Sequence, residues 1–508
     1  MKDTFYITTA IDYTNAAPHI GHAYEKILAD TIARAMRCDG RRVHFLTGVD
    51  QHGQKVQQSA AREGMPPGDF ARRETAKFLA LWKALDISND GWAETTDPLH
   101  VRCVQDALTR LHDAGKIYKA CHGGHYSVRQ EQFLTDKDRN ESGEFGPEWG
   151  EVVYLEEENY YFRLAEHRDW LLALINARAD LVVPAFRQTE LRNAVEKISG
   201  DLCISRPKER LSWGIELPFD SGFVTYVWFD ALMNYVSFAG YPEGGDFQRL
   251  WPCDRHVIGK DILIPAHGIY WTIMLHALGF PDEAIPGFLV HGYVNLGGDK
   301  VSKSTGNTVD PSELAARYGA GALRYYLMGE AAVGRDLEFS EDRLVGRYNT
   351  GLANGLGNLL NRTLNMTARY RDGNLAAAPD SPLRPVAESA SAEAVEAYRS
   401  LDTAGALSAA GRLVDRCNAF VEEKAPWKLA KDPSAAGELD AVLYGLAESL
   451  RILAILHSPV LPEASARMLE QLAVAKTPAF ADLEWGGLPD GHKLGAAQPV
   501  FPRIETAA

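Results

Sequence analysis

The sequence predicts an α/β protein with a parallel sheet, a small inserted domain and a helical bundle in its last third. Strand-like and helical segments alternate through the opening residues, which is typical of a parallel sheet. The stretch 115–164 breaks this alternation and is rich in Gly, Tyr and charged residues. From about Glu341 onward, Ala and Leu recur at helical spacing.

The first sheet unit consists of a strand, a helix and a second strand. Phe5–Ile11 is a β-branched run that predicts a buried strand, and Pro18 ends the loop after it. Apolar residues then recur at helical spacing as far as Gly40, which suits the end of a helix. Val43–Thr47 predicts the next strand, which runs on to Asp50. Because ligands bind at the carboxyl ends of parallel strands, a site is expected at that edge.

The later segments predict an insertion and a helix bundle. The insertion is expected to hold short strands, and sheet elements resume through Trp228 and Val257–Ile258. Helices are expected at about 341–369, 393–425 and 437–456, with a Pro-, Ala- and Ser-rich connection between the first two. The expected divisions are 1–114 and 165–282 (parallel-sheet domain), 115–164 (insertion), 283–340 (a following region), 341–470 (helical domain) and 471–508 (irregular tail).

Composition and charge exclude several classes of protein. Of 508 residues, 46% are hydrophobic and 24% charged, which excludes collagen, a disordered chain and a disulfide-rich miniprotein. The formal net charge of −15 excludes non-specific coating of nucleic acid, so any polyanion must bind at local basic patches. Six scattered cysteines indicate reduced thiols, and neither a signal peptide nor a membrane span is expected. We therefore expect a soluble cytoplasmic protein with no membrane partner.

The segment Pro18-His19-Ile20-Gly21-His22 lies between the first strand and the first helix. His19 and His22 are three residues apart, so both imidazoles lie on one face of the first helical turn. That turn offers unpaired backbone N–H groups, and Gly21 lets a flat ring approach the backbone. The pattern predicts a site for a nucleotide polyphosphate. The alternative is a pair of surface histidines at a helix start.

A second candidate is Lys300-Val301-Ser302-Lys303-Ser304, which is flanked by glycines. Two lysines and two serines between glycines suit a cationic loop that closes over phosphate charge. The alternative is a plain surface loop. The segment is not a Walker loop, because the Gly-x-x-x-x-Gly-Lys-Ser/Thr spacing is absent.

The motifs HIGH and KVSKS resemble the two signatures of class I aminoacyl-tRNA synthetases. Further segments are similar to those of the methionyl-tRNA synthetase family: TTAIDYTNAAPHIGH, FLTGVDQHGQKV, YVWFDALMNY, HVIGKDIL, VHGYVNLGGDKVSKSTGN, LANGLGNLLNR and EEKAPWKLAKDP. The resemblance covers about residues 5–505. It implies a Rossmann-type catalytic domain, a stem-contact region at 283–340 and an anticodon-binding helix bundle. It also implies that L-methionine is activated with ATP and transferred to the terminal adenosine of tRNA(Met).

The resemblance assigns nucleotide roles residue by residue. Around ATP it places His19, Gly21, His22, Glu25, Gly259, Asp261 and Val294. Lys303, assisted by Lys300, would neutralise the pyrophosphate as the methionine carboxylate attacks the α-phosphorus; with His19 and His22 these are the expected catalytic residues. Mg²⁺ would bridge the leaving phosphates. No carboxylate cluster in the sequence suits a dedicated Mg²⁺ site, so the ion is expected to arrive with ATP.

The amino-acid pocket follows from the chemistry of methionine as well as from the resemblance. Asp50, at the end of a buried strand, is expected to pair with the ammonium group. Trp228, Ala231 and Tyr235 are spaced to share one helical face, and an aromatic face suits a polarizable sulfur. The wall is completed by Ile11, Tyr13, Ile262 and His267. The alternative for Trp228 and Tyr235 is a role as core aromatics.

This chain departs from the family pattern beside that pocket. Asp12 stands where the family usually has proline, and Leu232 replaces another proline. The stretch ILIPAHGIYW is one residue longer than the common pattern, which leaves Ala266 and His267 as alternatives for the pocket histidine. We favour His267, because an imidazole donates a hydrogen bond to sulfur and a methyl group does not.

The insertion lacks two features of related enzymes. It is too short for the editing domain that the synthetases for isoleucine, valine and leucine carry. Cys-x-x-Cys pairs, which hold zinc in many family members, are absent, and Cys121, His122 and His125 are too few for a closed tetrahedral site. We therefore expect no zinc and no resident metal.

A basic segment predicts a contact with tRNA. Residues 343–371 include five arginines and no acidic residue, which reverses the charge of the chain locally. On an uninterrupted α-helix, Arg347, Asn354, Asn358 and Arg362 form one polar stripe. Such a stripe can bind the edges of splayed single-stranded bases. The alternative is a solvated helix face.

The resemblance implies that Asn358, Arg362 and Trp427 read the CAU anticodon, with the indole as a stacking plane. Arg343 and Arg347 are expected to position phosphates. The chain stops where the shorter family members end, so a monomer is expected. Two rival functions stay open: an adenylate-forming paralogue with a non-tRNA acceptor, and a non-catalytic tRNA-binding protein.

Overall fold

The computed structural model describes residues 4–129, 132–134, 138–140, 142–242, 244–297, 299–300 and 309–505. Its strands are β1 (Thr4–Thr9), β2 (Asp12–Tyr13), β3 (Arg42–Asp50), β4 (Gly91–Glu94), β5 (Ile117–Ser127), β6 (Gln132–Leu134), β7 (Val152–Phe162), β8 (Val182–Val183), β9 (Leu202–Cys203), β10 (Ser205–Pro207), β11 (Glu216–Leu217), β12 (Asp220–Thr225), β13 (Arg255–Gly259), β14 (Gly287–His291), β15 (Val294–Leu296), β16 (Asp299–Lys300) and β17 (Leu337–Glu338).

The α-helices lie mostly between those strands and after them. They are α1 (Ile20–Cys38), α2 (Gln54–Arg62), α3 (Pro67–Ala84), α4 (Pro98–Asp113), α5 (Arg168–Ala177), α6 (Ala185–Val195), α7 (Val227–Leu232), α8 (Asn234–Ser237), α9 (Phe247–Leu250), α10 (Lys260–Ile262), α11 (Thr272–Ala277), α12 (Pro311–Tyr318), α13 (Ala320–Glu330), α14 (Glu341–Arg347), α15 (Asn358–Arg371), α16 (Arg384–Arg399), α17 (Thr403–Lys424), α18 (Pro426–Leu429), α19 (Ala436–His457) and α20 (Pro462–Gln471). Two π-helical segments, Leu263–Trp271 and Tyr348–Gly357, join neighbouring helices.

A seven-stranded sheet forms the centre of the first domain. Its order is β2-β3-β1-β13-β14-β8, with β4 also paired to β3, and all its pairings are parallel. All six residues of β1 are buried, as a run of β-branched and aromatic residues predicts. β3, which follows β1 in the chain, lies on one side of β1, and β14, which follows β13, lies on the opposite side of β13. The order therefore reverses between β1 and β13, where such sheets bind ligands.

The predicted strand–helix–strand opening is confirmed by β1, α1 and β3. The inserted strands are confirmed too, with β5 and β7 paired antiparallel from Ile117 against Phe162 to Ser127 against Val152. This sheet also recruits β9, which lies beyond residue 164, and β10, β11 and β12 form a second small antiparallel sheet. The range 165–282 is thus not occupied by the parallel sheet alone.

The helical stretch expected at 341–369 is confirmed: α14, the π-helical segment Tyr348–Gly357 and α15 follow one another without a break. The helix expected at 393–425 is two helices, α16 and α17, and α16 already begins at Arg384 inside the expected connection. Pro385 fits the first turn of α16, where a missing N–H costs nothing. Leu401 has a φ of 65°, which ends the run between the two helices.

Within the described ranges, no helix combines the length and the apolar character needed to cross a membrane. The apolar window from Ile262 to Phe280, which raises that question in the sequence, forms the π-helical segment Leu263–Trp271 and α11. Leu263, Trp271 and Met274 are almost completely buried in the core of the first domain. The window is therefore core structure.

A buried arginine ties the parallel-sheet domain to the helical domain. Arg324 on α13 is 1% exposed and donates to Asp30 Oδ2 on α1 at 2.6 Å. It also donates to the carbonyls of Leu85, Pro459 and Val460, at 3.2, 3.1 and 2.7 Å. One guanidinium therefore joins three separate segments of the chain.

Asp30 is held as a charged group by this arrangement. Burial raises the pKa of Asp30, but the charges of Arg324 and Arg34 and the two hydrogen bonds from Ser88 lower it by a larger amount. The pKa therefore lies below its usual value. A carboxyl with a lowered pKa contributes stability at neutral pH, and that stability is lost as the pH falls toward and below about 4.

Arg324→Ala should destabilise the protein strongly, because Asp30 loses a charge partner and three carbonyls lose their donor. Breaking a buried pair from one side costs about 3–5 kcal/mol. The free energy of unfolding in urea at pH 7 measures this, and the gap between wild type and variant should narrow below about pH 4, where Asp30 takes up a proton. An unchanged urea midpoint at pH 7 would show that Arg324 does not hold the segments together.

Candidate active site

A cavity of about 360 Å³ opens at the carboxyl ends of β1, β3, β13 and β14. It is lined by every predicted nucleotide-site and methionine-site residue whose side chain the structure describes: His19, Gly21, His22, Glu25, Gly259, Asp261 and Val294, with Ile11, Tyr13, Asp50, Trp228, Ala231, Tyr235, Ile262 and His267. Lys303 lies outside the described residues. Of Lys300 the structure describes the backbone, which pairs with Asn295.

The first turn of α1 holds both histidines through its own backbone. His19 is the N-cap residue, and its Nδ1 accepts from the Gly21 N–H at 3.1 Å. The His19 N–H in turn donates to Nδ1 of His22 at 3.1 Å. Because Nδ1 is the acceptor in both rings, each neutral ring carries its proton on Nε2. The ring centroids are 3.8 Å apart, so the two imidazoles lie side by side at the start of α1.

Gly21 is needed for this cap. A Cβ at Gly21 would lie 3.0 Å from Cε1 and 3.1 Å from Nδ1 of His19, closer than ordinary van der Waals contact. A flat ring does approach the backbone here, and it is the His19 imidazole.

The nucleotide end of the cavity is built from the ends of β13 and β14. Gly259 ends β13, and a Cβ there would lie 2.7 Å from Oδ1 of Asp261. Glu25 on α1 faces His291, which ends β14, with 3.1 Å between Oε2 and Nε2. Val294 begins β15 and is 4% exposed. The predicted nucleotide residues thus converge from four elements.

The methionine end carries the predicted aromatic wall, but not on one continuous helix. Met233 separates α7, which carries Trp228 and Ala231, from α8, which carries Tyr235. All three residues nevertheless line the same cavity. The three residues thus face the same space as expected, but they do so from two short helices and not from one continuous helix.

His267 lines the cavity, whereas Ala266 is buried outside its lining. The ring donates from Nδ1 to the Ile262 carbonyl at 2.9 Å, so in its neutral form Nε2 accepts from the Tyr235 hydroxyl at 2.8 Å. Burial lowers the pKa of His267 to about 4, which keeps the ring neutral at pH 7. Both nitrogens are occupied, so the expectation that this imidazole donates to sulfur is wrong. Its position orients Tyr235 instead.

Asp50 lies at the end of β3 and is 6% exposed. Its backbone carbonyl accepts from the N–H and the hydroxyl of Thr14, at 2.9 and 3.0 Å, and its Oδ1 accepts from the His52 N–H at 3.3 Å. His52 also contacts Asp230 of α7, with 2.8 Å between Nδ1 and Oδ2. The loop that carries Asp50 is thereby bonded to the helix that carries Trp228.

The predicted anticodon residues lie on the helical domain and come together only in part as expected. Arg362 on α15 lies with its Cζ 5.8 Å from the centroid of the Trp427 ring, and Asn358 is exposed one turn earlier. The π-helical segment Tyr348–Gly357 changes the rotation per residue, so Arg347 does not continue their stripe. Arg347 instead lies 3.7 Å from Glu330, which Arg343 also contacts.

The local charge reversal of the sequence is reduced in the fold. Arg362 donates to Glu422 at 2.8 Å, and Arg371 donates to Asp440 at 2.5 Å. Together with Glu330, these carboxylates come from α13, α17 and α19, outside the basic segment. The basic stripe is therefore partly neutralised before any polyanion binds.

Comparison with known proteins decides the family. The family model described as "tRNA synthetases class I (M)" matches residues 5–142 and 150–364. The model described as "Anticodon binding domain of methionyl tRNA ligase" matches residues 386–508. The chain belongs to the methionyl-tRNA synthetase family. Together the two models match both the parallel-sheet domain and the helical domain.

Relatives of known activity share nearly the whole chain. It is 41% identical to the methionine–tRNA ligase of Caldanaerobacter subterraneus subsp. tengcongensis, over 99% of this chain and 80% of that protein. It is 40% identical to the methionine–tRNA ligase of Rhizobium meliloti, over 99% of both. The structure is similar to that of Mycobacterium tuberculosis methionyl-tRNA synthetase in complex with methionyl-adenylate, with a TM-score of 0.92 and 37% identity over 99% of this chain and 100% of that one.

Some lining residues escape motif reading. Asp12, Lys55, Asn234, His291 and Tyr293 line the cavity as well. All five lie inside the segments that resemble the family, so those segments were the available signal, and Asp12 was singled out there only as a departure from the family pattern. In the insertion, the described residues include no group of three His, Cys, Asp or Glu side chains placed to hold a metal ion.

His267→Gln should remove part of the acid sensitivity of folding. The unfolded His267 takes up a proton below about pH 6.5, while the buried ring resists protonation down to about pH 4. Wild type therefore loses stability through this group as the pH falls across that window, by about 2 kcal/mol at pH 5. Urea unfolding at pH 8 and pH 5 measures the difference, and the gap between wild type and variant should shrink by that amount. A gap that stays constant would contradict a neutral buried His267.

Proposed function

We propose that this chain activates L-methionine with ATP to methionyl-adenylate, releases pyrophosphate, and transfers methionine to the terminal adenosine of tRNA(Met). The observation that carries the proposal is one cavity that unites two oriented imidazoles, a strand-end carboxylate and an aromatic wall. The similar Mycobacterium tuberculosis structure is described as in complex with methionyl-adenylate, a ligand whose phosphate, ammonium group and thioether would suit these three features in turn.

The nucleotide end is suited to polyphosphate. The Nε2 protons of His19 and His22 would donate to ATP phosphates. The backbone N–H groups expected to be unpaired in this turn already have acceptors: Ile20 donates to the Val309 carbonyl, Gly21 to Nδ1 of His19 and His22 to the His19 carbonyl. Glu25, Gly259, Asp261 and Val294 would hold the adenosine. Mg²⁺ would arrive with ATP and offset phosphate charge, and no zinc is part of the proposal.

The KVSKS segment is proposed to close over the leaving pyrophosphate through Lys303, with Lys300 beside it. The described chain stops at Lys300 and resumes at Val309, whose carbonyl accepts from the Ile20 N–H at 3.2 Å. Ile20 is the first residue of α1, next to His19. Val309, the first described residue after this segment, therefore lies beside the helix start that carries His19, which supports a role for Lys303 at phosphates bound there.

At the other end, Asp50 would pair with the methionine ammonium group. The thioether would lie among Ile11, Tyr13, Trp228, Ala231, Tyr235, Ile262 and His267. Since the Tyr235 hydroxyl donates its proton to Nε2 of His267, the sulfur would contact the Tyr235 hydroxyl oxygen and the aromatic rings of the wall. Rate acceleration would come from placing the carboxylate in line with the α-phosphorus and from stabilising the charge that develops.

The proposed tRNA partner bears a CAU anticodon, read by Asn358, Arg362 and Trp427. The proximity of Arg362 and Trp427 supports a stacking and hydrogen-bonding surface for splayed bases. A monomeric state and a cytoplasmic location stay predictions, the first measurable by analytical ultracentrifugation and the second by fractionation.

The function is tested by ATP–pyrophosphate exchange with each of the twenty amino acids, followed by charging of tRNA with a CAU anticodon. We expect methionine-dependent exchange and methionylation of that tRNA. Exchange with methionine but no charging would favour the paralogue with another acceptor. No exchange with any amino acid would favour the non-catalytic tRNA-binding protein, and either result would overturn the proposal.

Trp427→Ala should raise the KM for tRNA by about 5-fold to 150-fold, since a base–aromatic stack contributes about 1–3 kcal/mol. Methionine-dependent pyrophosphate exchange, which needs no tRNA, should be unchanged. Trp427→Phe keeps a stacking plane and should recover most of the loss. A tRNA KM that is equal in Trp427→Ala and wild type would remove Trp427 from the anticodon surface.

A further inference from the structure

A buried lysine lies beneath the cavity and is not used by the proposed reaction. Lys26 on α1 is 0% exposed, and its Nζ donates to Asp12 Oδ1 at 2.6 Å, Glu25 Oε1 at 2.9 Å and the Ala10 carbonyl at 3.0 Å. An ammonium group has three protons, so each is matched by one acceptor. All three acceptor residues line the cavity.

These contacts form a chain of alternating charge that ends at the nucleotide side. The other oxygen of Glu25, Oε2, is 3.1 Å from Nε2 of His291, and Nδ1 of His291 is 2.7 Å from the Gly292 carbonyl oxygen. Burial raises the pKa of Glu25, but Lys26 and His291 lower it more, so the pKa lies below its usual value. Burial lowers the pKa of Lys26, but the two carboxylates raise it more. Lys26 and Glu25 are both charged at pH 7.

The same lysine also fixes the methionine side. Asp12 lies in β2 between Ile11 and Tyr13, both of which line the cavity. Where the family pattern has proline, φ is set by the ring; Asp12 has no such restraint. Here the bond to Lys26 at 2.6 Å and the pairing of Asp12 with Val49 hold the strand in place.

We propose that Lys26 and Asp12 are positioning residues for methionine activation: Lys26 holds the Glu25 carboxylate at the nucleotide end, and its ion pair with Asp12 holds Ile11 and Tyr13 at the methionine end. This rests on the proposed function, in which Glu25 contacts ATP. Lys26 also offsets two carboxylates that would otherwise oppose the anionic substrates across a cavity of low polarity.

The test compares three variants in methionine-dependent pyrophosphate exchange. Asp12→Asn keeps the size of the side chain and the Lys26–Glu25 contact, and should raise the KM for methionine at least fivefold with less than a twofold change for ATP. Lys26→Met removes the ammonium group from both partners and should raise both KM values at least tenfold while lowering the Tm. In the double variant Lys26→Met/Asp12→Asn the unpaired Asp12 charge is gone, so the Tm should recover while the KM for ATP stays raised.

A double variant in which the Tm recovers while the KM for ATP stays raised separates a positioning role from an effect on stability. Arg451→Met is the matched control, because Arg451 is 4% exposed on its side chain, donates to the buried Glu448 at 2.6 and 3.0 Å, and does not line the cavity. It should lower the Tm with both KM values unchanged.

Two results would overturn the inference: unchanged KM values in Lys26→Met, or recovery of the ATP KM together with the Tm in the double variant. If wild type itself exchanges no methionine, the proposed function fails instead. Should Lys26→Met not fold, the other two variants are used. An unchanged KM for methionine in Asp12→Asn, or an unchanged KM for ATP in the double variant, would then overturn the inference.

Discussion

The parallel arrangement of β1, β3, β13 and β14 is the constraint on which the site depends. Parallel strands end at one edge, so residues far apart in the chain are delivered to the same place without a dedicated contact between them. Asp50, Gly259 and His291 are each the last residue of a strand, and His19 precedes the first helix. The two ends of the cavity are thus set by where strands stop, and side chains only refine the placement.

That refinement is done by hydrogen bonds that fix which nitrogen carries a proton. His19 and His22 accept on Nδ1 from backbone N–H groups and so present Nε2 as donors. His267 shows the opposite pattern, with Nδ1 donating to a carbonyl and Nε2 accepting from Tyr235. The three rings look alike in the sequence, but their neighbours place the proton of the neutral ring differently: on Nε2 in His19 and His22, and on Nδ1 in His267.

Local periodicity explains what the sequence predicts well. β1, α1 and β3 follow from apolar spacing and a glycine, whereas most of the lining residues follow from the resemblance to the methionyl-tRNA synthetase family. The missed features depend on contacts between distant segments. The π-helical turns in Tyr348–Gly357 leave no periodic trace, and the partners of Arg362 and Arg347, Glu422 and Glu330, lie on other helices. The pairing of Asp12 with Lys26 was invisible because neither spacing nor motif relates them.

The buried charges of this chain share a property that apolar side chains lack. A buried ion pair gives little net stability relative to well-packed apolar residues. What it adds is a set of hydrogen bonds with defined directions. Lys26, Arg324 and Arg451 each donate to a carboxylate and to at least one backbone carbonyl from another segment. An apolar contact tolerates sliding and rotation, whereas three donors with fixed acceptors do not. Lys26 thus ties α1 to β2 within the parallel-sheet domain, Arg324 ties that domain to the helical domain, and Arg451 ties α19 to the C-terminal segment.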